Sequence, residues 1–577
     1  MPGDSEGRDS IAGVVARFLS ERGVERIFGL CGGHIMPIWM AVDALGIPIV
    51  DVRDERAAVH MAHAHAEITG KLGVALVTAG PGVTNAITGI ANAHVARAPV
   101  LVISGVPPRP QEFRGALQGL DHVAMLGGIT RYARTVREQG LVLPQLDEAV
   151  ACALGEGGEP GPAYVDFPTD LLSETLPPNM ALKEFFEPRT PPSLQPDPQA
   201  AKNAMEAVWT AVRPLVIGGR GARGAKTELA QLLDRSGAIY LDTTEARGVV
   251  ADDHPSLVNA MRGAAMGQAD LVVTVGRKLD FQLAYGSPAV FKDAQFVRIA
   301  DNAAELRDNR RGVAEVLATP SAAIAAILEA AGNAKSKADR EWAKGMRAQH
   351  VKRANKMQET SIKTPPGSDG RMHPMAMLGT LGQALDEDAI LIADGGDILS
   401  FARVALSTST YLDPGALGCL GVGVPFGIAA ALAAPDRQVA VVTGDGSFGF
   451  NAIEIDTAAR HKAPVVFIIA NNGAWNIEVY DQQTRFDRLV GTELEFSDYA
   501  AMGRAFGLHT ERVEDQGELA GAIDRAFDNA PALLDVVVTR DAVSFDSKSG
   551  LAWVPDLQPL AAWDEAEHAW RAGEPVA

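Results

Sequence analysis

The stretch that decides the fold is VAVVTGDGS at 439–447, followed by PVVFIIANN at 464–472. Each segment begins with an apolar run that is typical of a buried strand and ends in small or polar residues. Because the carboxyl ends of parallel strands meet at one edge of a sheet, we expect Asp445 to lie beside the pair Asn471 and Asn472. Backbone N–H groups, a carboxylate and amide side chains then line a polar pocket at that edge.

This pocket offers the oxygen ligands that a magnesium ion prefers. Magnesium takes about six oxygen ligands and usually shares them with a bound phosphate group. A lone Gly-Asp-Gly sequence is more often a surface turn, but here 24 residues separate Gly446 from Asn471, and both segments close apolar strands. We therefore predict that Asp445, the Asn472 amide oxygen and a nearby carbonyl hold a metal that clamps a diphosphate.

The same alternation of apolar runs and longer helical patterns extends along the chain. Five more runs resemble buried strands, at 74–78, 99–105, 214–219, 271–276 and 389–394. The alternation predicts an α/β protein with parallel sheets. A proline-rich stretch and a charged stretch interrupt it and are typical of a linker and of an exposed helix with a loop. We predict three consecutive α/β domains at 1–180, 200–335 and 371–543, a linker at 181–199, a linking helix and loop at 336–370, and a C-terminal tail at 544–577.

The first and third domains share a repeat. VALVTAG at 74–80 and VAVVTGD at 439–445 are offset by 365 residues, and the same offset places APV at 98–100 on APV at 463–465. Any two strand–helix–strand units have Val and Ala in common. An unbroken register over about 27 positions nevertheless favours a duplicated fold.

Composition excludes several classes of partner. With 52 Lys and Arg against 72 Asp and Glu among 577 residues, the net charge is −20, which disfavours binding to nucleic acid or to an anionic membrane. The cysteines Cys31, Cys152 and Cys419 are too scattered for a metal or redox motif and too few for a disulfide framework. The first residues lack the basic start and apolar run of a secretory signal. We expect a protein of the cytoplasm that binds neither nucleic acid nor membrane.

These motifs resemble the thiamine diphosphate (ThDP) enzymes of the acetolactate synthase, oxalyl-CoA decarboxylase and benzaldehyde lyase group, whose signature is Gly-Asp-Gly followed by Asn-Asn at this spacing. The resemblance covers nearly the whole chain. It implies that the first domain binds the aminopyrimidine of the cofactor and the third binds its diphosphate, across the subunit interface of a dimer or tetramer. It also assigns magnesium to Asp445, Asn472 and the backbone carbonyl of Ala474.

A glutamate of the first domain is the decisive catalytic residue in this group. It lies in the pattern Arg-His-Glu-x-x-Ala-x-x-Met-Ala, and the sequence at 53–62 is RDERAAVHMA. Glu55 is therefore the match, and Asp54 replaces the usual histidine. A carboxyl group on the pyrimidine ring nitrogen promotes the tautomer that activates the thiazolium carbon C2. An isolated glutamate is more often a solvated helix-end charge, but the motif favours the catalytic role.

Other segments match the cofactor contacts of the group. GPGVTN at 80–85 resembles the turn that approaches the pyrimidine, where glycine permits close backbone contact. In GCLG at 418–421, the resemblance places the Gly418 carbonyl on the exocyclic amine and Leu420 as a wedge under the bent cofactor. Taken alone, both would be core residues. The residues that the resemblance assigns to the cofactor are Gly80, Pro81, Asn85, Gly396, Asp397, Gly418, Leu420, Gly446, Ser447, Trp475 and Asn476.

The middle domain carries a weaker signal. A glycine-rich loop at 218–224 follows a predicted strand but is not a clean dinucleotide-binding fingerprint. In relatives this domain carries FAD, ADP or no ligand. Gly219, Arg277 and Asp301 lie at strand ends, where a phosphate and a ribose could be held. We expect ADP there, with an empty structural domain as the alternative.

Substrate choice depends on loops of the first domain. Where oxalyl-CoA decarboxylases have a Tyr-Glu pair, this chain has Leu117 and Gln118, which resembles benzaldehyde lyase and the 2-hydroxyacyl-CoA lyases. The resemblance implies that the Gln118 amide binds a hydroxyl on the cofactor-bound substrate. GGHI at 32–35 resembles the loop that presents a histidine to the active centre, so His34 is expected to move a proton near neutral pH. A lone loop histidine is usually structural, and the role of His34 depends on this motif.

Two residues of the third domain complete the expected substrate site. Arg403 matches the position that meets the CoA phosphates in oxalyl-CoA decarboxylase, and arginine suits phosphate through its fork of donors. An exposed helix charge is the alternative for Arg403. Glu493 lies in VGTELE at 490–495, which resembles the roof of the benzaldehyde lyase pocket. We expect Glu493 to act as a base or to orient His34.

The tail at 544–577 contains Trp553, Trp563 and Trp570 among small and acidic residues. Three tryptophans are costly to leave in water without a surface to cover. We expect the tail to close over the active site as a lid, or to dock on a neighbouring subunit.

The sequence as a whole favours a ThDP- and magnesium-dependent lyase that cleaves a 2-hydroxyacyl-CoA reversibly to formyl-CoA and an aldehyde or ketone. The aliphatic residues Leu117 and Leu420 favour a compact, branched acyl group. The alternatives are an oxalyl-CoA decarboxylase, a CoA-independent carboligase like benzaldehyde lyase, and an enzyme like acetolactate synthase. A non-catalytic subunit of the same fold is a further alternative, although the presence of Glu55, Asp445 and Asn472 argues against it.

Overall fold

A computed structural model describes residues 10–156, 158–176, 183–188, 190, 193–292, 294–544, 546–547, 565, 568–570 and 572–574. It contains three parallel sheets flanked by helices, one in each predicted domain. The predicted fold class is therefore confirmed. The domain boundaries stay predictions.

The first sheet has six strands. They are β1 (Ile27–Gly29), β2 (Ile49–Asp51), β3 (Gly73–Val77), β4 (Val100–Val106), β5 (Tyr132–Thr135) and β6 (Ala163–Pro168). The helices of this region are α1 (Ile11–Glu21), α2 (Met36–Ala44), α3 (Glu55–Thr69), α4 (Pro81–Ala96), α5 (His122–Leu126), α6 (Val142–Leu154), α7 (Thr169–Leu172) and α8 (Lys183–Phe186). The strand order is β2-β1-β3-β4-β6-β5, and every pairing is parallel.

The middle sheet has five strands. They are β7 (Pro214–Gly218), β8 (Ile239–Asp242), β9 (Leu271–Val275), β10 (Gln295–Ala300) and β11 (Ala314–Leu317), in the parallel order β11-β10-β9-β7-β8. Its helices are α9 (Pro198–Thr210), α10 (Lys226–Ser236), α11 (Arg262–Gln268), α12 (Pro288–Phe291), α13 (Ala303–Leu306) and α14 (Pro320–Ala331), followed by the long helix α15 (Arg340–Ser361).

The third sheet repeats the topology of the first. Its strands are β12 (Ile390–Asp394), β13 (Thr410–Leu412), β14 (Val439–Gly444), β15 (Val466–Asn471), β16 (His509–Val513) and β17 (Ala532–Val537). Its helices are α16 (Pro374–Ala384), α17 (Asp397–Ala405), α18 (Gly423–Ala433), α19 (Asp445–Gly449), α20 (Ile455–Arg460), α21 (Asn476–Phe486), α22 (Tyr499–Ala505) and α23 (Gln516–Asp528). The parallel order β13-β12-β14-β15-β17-β16 is that of the first sheet, which confirms the predicted duplication.

Helices α3 and α18 join the two duplicated domains. Helix α18 consists of glycine, alanine and other apolar residues, so it has no polar face and is almost wholly buried. It packs against α3, and one hydrophobic cluster includes Ala62 of α3 and Phe426 of α18. Within the described ranges, no helix has the length and apolar composition needed to cross a membrane.

Most of the C-terminal tail, including Trp553 and Trp563, lies outside the described residues, so the predicted lid stays a prediction. Trp570 is described and is 47% exposed. The Arg310 guanidinium of the middle domain lies 4.7 Å from its ring centroid. This cation–π contact places Trp570 on the middle domain.

Candidate active site

The predicted catalytic glutamate stands at the first position of helix α3. Asp54 is the N-cap, and its carboxylate accepts a hydrogen bond of 2.8 Å from the Arg56 N–H. The residue that replaces the family histidine therefore has a structural reason to be acidic, because aspartate is a preferred N-cap. Glu55 is only 6% exposed, and its carboxylate accepts a 3.0 Å hydrogen bond from Asn85 Nδ2. The structure thus brings the predicted residues Glu55 and Asn85 together.

The Gly80 turn lies against this pair. Gly80 follows β3 with a φ of 61° and is the N-cap of α4, in which Pro81 is the first residue. A Cβ atom on Gly82 would lie 3.1 Å from Glu55 Oε1, so glycine leaves room for the carboxylate. The turn and the start of α3 therefore form one half-site of the first domain, made of Glu55, Gly80, Pro81 and Asn85.

A buried polar chain that the sequence did not reveal holds this turn. His122 Nε2 accepts a 3.0 Å hydrogen bond from the Gly80 N–H, and His122 Nδ1 lies 3.1 Å from Asp166 Oδ2. Because Nε2 is the acceptor, the proton is on Nδ1 and points at Asp166. The Tyr164 hydroxyl donates to the same Asp166 oxygen at 2.8 Å. Asp166 lies inside β6, and no motif of the sequence marked either Asp166 or His122.

His34 and Gln118 meet beside the same turn. Gln118 has a φ of 61°, and a Cβ atom on Gly80 would lie 2.8 Å from Gln118 Cβ, so the two loops are in close contact. Burial lowers the pKa of His34, and a hydrogen bond with the Gln118 side chain partly opposes that shift. The neighbouring Leu117 is 79% exposed. A neutral imidazole at neutral pH is the form that can accept a proton.

The predicted metal ligands also lie together. Asp445 follows β14 and is only 2% exposed, and its Oδ2 atom is buried without a hydrogen-bond partner in the described structure. Burial raises the pKa of Asp445 to about 6, although the Gly446 and Gly473 N–H groups act in the opposite direction. Asn472 Oδ1 accepts a 3.1 Å hydrogen bond from the Ala474 N–H, which folds the amide back over this loop.

Asn471 and Asn472 differ in their hydrogen bonds and in their expected roles. Asn471 Nδ2 donates to Ser497 O and to Asp535 Oδ1, both at 2.9 Å, so Asn471 supports the fold. The Asn472 amide oxygen, the partnerless carboxylate oxygen of Asp445 and the Ala474 carbonyl are neutral or singly charged oxygen donors. Among the described residues, no group of three or more His, Cys, Asp or Glu residues could hold a metal. The carboxylate, amide and carbonyl oxygens are donors of the kind that magnesium takes, so this set fits magnesium.

Gly446 and Trp475 are in direct contact. A Cβ atom on Gly446 would lie 2.6 Å from the indole atom Cζ3 of Trp475, so only glycine fits under the ring. The Trp475 N–H donates a 2.8 Å hydrogen bond to the Thr492 carbonyl, which fixes the backbone of that residue. The predicted cofactor residues on the two strand ends are thus packed together.

Asp394, which was not predicted, supports the loop that contains Leu420. Its carboxylate accepts hydrogen bonds from Gly421 N at 3.1 Å and from Gly423 N at 2.8 Å. Ser447 Oγ accepts from the same Gly421 N–H at 3.0 Å. Burial raises the pKa of Asp394 to about 6, against the hydrogen bonds from Ser447 and Gly423. The signal in the sequence was its position as the last residue of β12. Leu420 itself is half-buried, and Gly418 is exposed with a φ of 65°.

Asp397 and Asn476 form a second buried pair. Gly396 is the N-cap of α17 and Asp397 is its first residue. Asn476 Nδ2 donates to Asp397 Oδ2 at 3.2 Å, while Asn476 Oδ1 is buried without a partner in the described structure. Burial raises the pKa of Asp397, and hydrogen bonds from Ser544 and Asn476 oppose this shift.

Arg540, also missed from the sequence, ties the metal loop to Glu493. Its Nε donates to the Asn472 carbonyl at 2.7 Å, and its Nη1 donates to Glu493 Oε1 at 3.1 Å. The Glu493 side chain is 62% exposed. Within the described chain, no hydrogen bond or ion pair joins Glu493 to His34, so the structure does not bring these two predicted residues together. Its place shortly after the end of β17 at Val537 was the one signal for Arg540.

Arg403 is engaged by carboxylates of its own domain. Its Nη2 lies 2.8 Å from Asp413 Oδ2, and its Nη1 lies 3.8 Å from Asp546 Oδ2. Burial lowers the pKa of Arg403, but Asp413 more than offsets this effect, so the pKa is raised overall. A CoA phosphate at this position would have to compete with Asp413.

The residues predicted to bind ADP lie at the carboxyl edge of the middle sheet. Gly219 follows β7, and a Cβ atom there would lie 2.4 Å from the Gly276 carbonyl oxygen. Arg277 is 3% exposed and donates to Asp280 and Gln282, both at 2.8 Å. Asp301, next after β10, is exposed. Binding of ADP stays a prediction, and the charge of Arg277 is already matched by protein carboxylates.

The described residues show no polar contact between the two half-sites. In the part of the chain that the structure describes, no hydrogen bond or ion pair joins Glu55, Gly80 or Asn85 to Asp445, Asn472 or Ala474. The duplicated fold, the buried glutamate and the magnesium-type oxygen donors together define the class of ThDP-dependent enzymes.

Comparison with known proteins identifies the family. Three family profiles match the chain: the thiamine pyrophosphate enzyme N-terminal TPP binding domain at residues 9–125, the central domain at 201–327 and the C-terminal TPP binding domain at 395–536. The chain therefore belongs to the thiamine pyrophosphate enzyme family, and thiamine diphosphate, the same compound, is its cofactor.

Individual relatives cover most of the chain. The 2-hydroxyacyl-CoA lyase 2 of Caenorhabditis elegans is 32% identical over 550 residues, which are 87% of this chain and 84% of the relative. The human 2-hydroxyacyl-CoA lyase 2 is 30% identical, with 91% and 89% covered. The acetolactate synthase large subunit IlvG of Mycobacterium tuberculosis is 32% identical, with 93% and 97% covered. The chain is thus similar to proteins with two different names.

Proposed function

We propose that this protein is a ThDP- and magnesium-dependent carbon–carbon lyase that cleaves a 2-hydroxyacyl-CoA to formyl-CoA and an aldehyde or ketone. The observation that carries the proposal is the contact between His34 and Gln118 at the Gly80 turn, where an oxalyl-CoA decarboxylase has a Tyr-Glu pair. A neutral imidazole and an amide can each donate a hydrogen bond to a substrate hydroxyl or accept one from it. An ionised carboxylate, as in the Tyr-Glu pair, can only accept. Similarity to 2-hydroxyacyl-CoA lyases over most of the chain supports the same assignment.

The net reaction removes a proton from the 2-hydroxyl and adds one to the thioester carbon. The bond between the thioester carbon and the hydroxyl-bearing carbon breaks, the 2-hydroxyl loses its proton as the carbonyl product forms, and the thioester carbon gains a proton in formyl-CoA. The bound cofactor supplies a nucleophilic carbon and an electron sink. Glu493 is proposed to take the hydroxyl proton, and Gln118 and His34 to orient the hydroxyl. Glu55 would hold the pyrimidine of the bound cofactor in its reactive tautomer.

Asp445, Asn472 and Ala474 would hold magnesium against the diphosphate. The partnerless oxygen of Asp445 supports this assignment because a buried carboxylate oxygen without a partner is costly. We further propose that two chains associate as a dimer or tetramer so that the first domain of one completes the site on the third domain of another. The lack of any hydrogen bond or ion pair between the two half-sites among the described residues supports this arrangement, as does the exposed leucine at position 117.

The test is to incubate the purified protein with ThDP, magnesium and 2-hydroxyisobutyryl-CoA and to follow acetone and formyl-CoA by chromatography and mass spectrometry. Release of both products supports the proposal. Loss of a general base costs about 10²- to 10⁴-fold in rate, so Glu493→Gln is expected to lower turnover in that range. Glu495→Gln, an exposed carboxylate on the same segment, is the matched control and is expected to keep turnover within about twofold of wild type.

The relatives named acetolactate synthase favour a second candidate, a 2-oxoacid enzyme without CoA. FAD in the purified protein and turnover of a 2-oxoacid would support it. Cleavage of acyloins without CoA would instead indicate a carboligase like benzaldehyde lyase. Oxalyl-CoA turnover would indicate the decarboxylase.

Three further assignments belong to the same proposal. We propose ADP as a ligand of the middle domain and Arg403 as a contact of the CoA phosphates, and a thermal shift with ADP and an Arg403→Ala variant test them separately. The partners that Arg277 and Arg403 already have weigh against both. We also propose the cytoplasm as the location, supported by the three free cysteines.

A further inference from the structure

A carboxylate of the third domain holds the backbone directly before Glu55. Glu454 Oε1 accepts hydrogen bonds from the Arg53 N–H and from the Asp54 N–H, both at 3.0 Å. Glu454 Oε2 accepts a 2.6 Å hydrogen bond from Thr457 Oγ1. Glu454 is fully buried, with 0% of its surface exposed. Burying a glutamate costs free energy, which the hydrogen bonds to its carboxyl group offset only in part. A glutamate at this position therefore suggests a role beyond stability.

These contacts lie directly before the start of helix α3. Asp54 caps the helix through the Arg56 N–H, and Glu55 is the next residue. Glu454 accepts hydrogen bonds from the amides of the two residues before Glu55, so a side chain of the third domain holds the backbone that leads into α3. Glu55 is the first residue of that helix, so the position of its carboxylate depends on the backbone that Glu454 holds. We call the hydrogen bonds from Arg53 and Asp54 to Glu454 the clamp.

We infer that Glu454 is a positioning residue for Glu55: it aligns the catalytic carboxylate with the pyrimidine by fixing the backbone that carries it. Catalytic groups must be held within a fraction of an ångström of their working geometry. The inference rests on the proposed role of Glu55 as the residue that activates the cofactor, but it does not depend on which substrate the enzyme cleaves.

The variants separate this role from a simple domain contact. Glu454→Ala removes the clamp, and Glu454→Gln keeps one carbonyl oxygen for the two amides. Asp456→Asn is the matched control, because Asp456 pairs with the Arg53 guanidinium at 3.1 Å and not with the backbone. Glu454→Asp keeps the charge but withdraws it by one methylene, and it replaces Glu454→Ala if the alanine variant does not fold.

The first measurement uses the full-length protein without cofactor. Hydrogen exchange of the Arg53 and Asp54 amides is expected to become about ten- to hundredfold faster in Glu454→Ala, as expected for loss of buried hydrogen bonds. Glu454→Gln and Asp456→Asn are expected to retain most of the protection. Unchanged exchange in Glu454→Ala would overturn the inference.

The second measurement adds ThDP and magnesium but no substrate. Exchange of the cofactor C2 proton with deuterium, stopped by acid and measured by NMR, reports cofactor activation directly. We expect it to slow by about hundredfold in Glu454→Ala, to recover largely in Glu454→Gln, and to stay within about twofold in Asp456→Asn, while ThDP affinity changes little. Slower exchange explained entirely by weaker ThDP binding, or equal slowing in Asp456→Asn, would show a merely structural contact.

The two proposals fail in different ways. If wild-type protein exchanges the C2 proton but does not cleave 2-hydroxyisobutyryl-CoA, the lyase assignment is wrong and the role of Glu454 stands. If cleavage occurs and Glu454→Ala exchanges the C2 proton at the wild-type rate, the lyase assignment stands and the positioning role is wrong.

Discussion

The contact between Gly446 and Trp475 makes the metal turn sensitive to a single methyl group. In Gly446→Ala the new Cβ atom would lie 2.6, 2.7 and 2.9 Å from three carbon atoms of the indole ring. Carbon atoms pack at about 3.5 to 4.0 Å, so the ring or the turn must retreat by about 1 Å. Overpacking of this kind costs about 1 to 3 kcal/mol.

We expect the free-energy cost of this overpacking to weaken cofactor binding. Gly446 follows Asp445, and Trp475 follows Ala474, so a displacement of either residue moves a predicted metal ligand or its neighbour. If ThDP and magnesium require the original arrangement, 1 to 3 kcal/mol corresponds to a rise in the Kd for ThDP of about 5- to 150-fold. Isothermal titration calorimetry with ThDP at saturating magnesium measures this Kd.

Gly449→Ala is the matched control. Gly449 lies in the same helix, α19, and a Cβ atom there would meet no atom within 4 Å. Alanine in a helix is neutral to stabilising by up to about 1 kcal/mol relative to glycine. Binding of ThDP by Gly446→Ala within twofold of wild type would refute the steric argument. Equal weakening in Gly449→Ala would show that the cause is loss of glycine flexibility and not the indole contact.

Three further predictions test the two half-sites and the domain contact. Glu55→Ala should lower turnover by at least about hundredfold while calorimetry shows ThDP binding almost unchanged, because the diphosphate half-site is intact; normal turnover would refute its role. After dialysis against EDTA, Asp445→Asn should need about ten- to hundredfold more magnesium than wild type to recover activity, because the charged ligand is lost; an unchanged magnesium titration would exclude Asp445 as a ligand. Burial raises the pKa of Glu454 from 4.5 to about 7. The folded state therefore holds an extra proton between these values, so the contribution of Glu454 to stability is highest below about pH 4.5 and falls by about 2 to 4 kcal/mol as pH rises through 7. Urea unfolding should show this decline in wild type and a flatter profile in Glu454→Gln; identical profiles would contradict the pKa shift.

The fold was predictable because its signals are local and repeated. All seven apolar runs that we interpreted as strands are strands, among them β3, β4, β14 and β15. A parallel strand covered on both faces must be apolar throughout, and such runs stand out in a sequence. The short edge strands β2 and β13, with three residues each, carry no comparable pattern and were not predicted.

The candidate site was predictable where the chemistry lies in a motif and not where it depends on tertiary contacts. Asp445, Asn472 and Glu55 lie in recognisable patterns, and the structure buries Asp445 and Glu55 as their predicted roles require. His122, Glu454 and Arg540 act through distant partners. Arg540, for example, contacts Asn472 across 68 positions, and no local pattern encodes such a pair. Residues that hold a site are therefore harder to predict than residues that perform its chemistry.

The duplication explains why the two half-sites differ so sharply on the same framework. The offset of 365 residues places Gly80 on Asp445, and the two residues occupy equivalent places in the fold. Gly80 is the N-cap of α4 and Asp445 is the first residue of α19, and the strands before them, β3 and β14, are each third in the order of a six-stranded sheet. In the first domain the Gly80 N–H is satisfied by His122, so that turn is closed by the protein's own acceptor. In the third domain the same position carries a carboxylate with a buried oxygen that lacks a partner in the described structure. In the proposed site, one copy would present backbone to the aminopyrimidine ring, and the other would present a carboxylate to a cation. The similarity between the two copies therefore indicates the shared fold. The difference between Gly80 and Asp445 indicates the different groups that the two copies are proposed to bind.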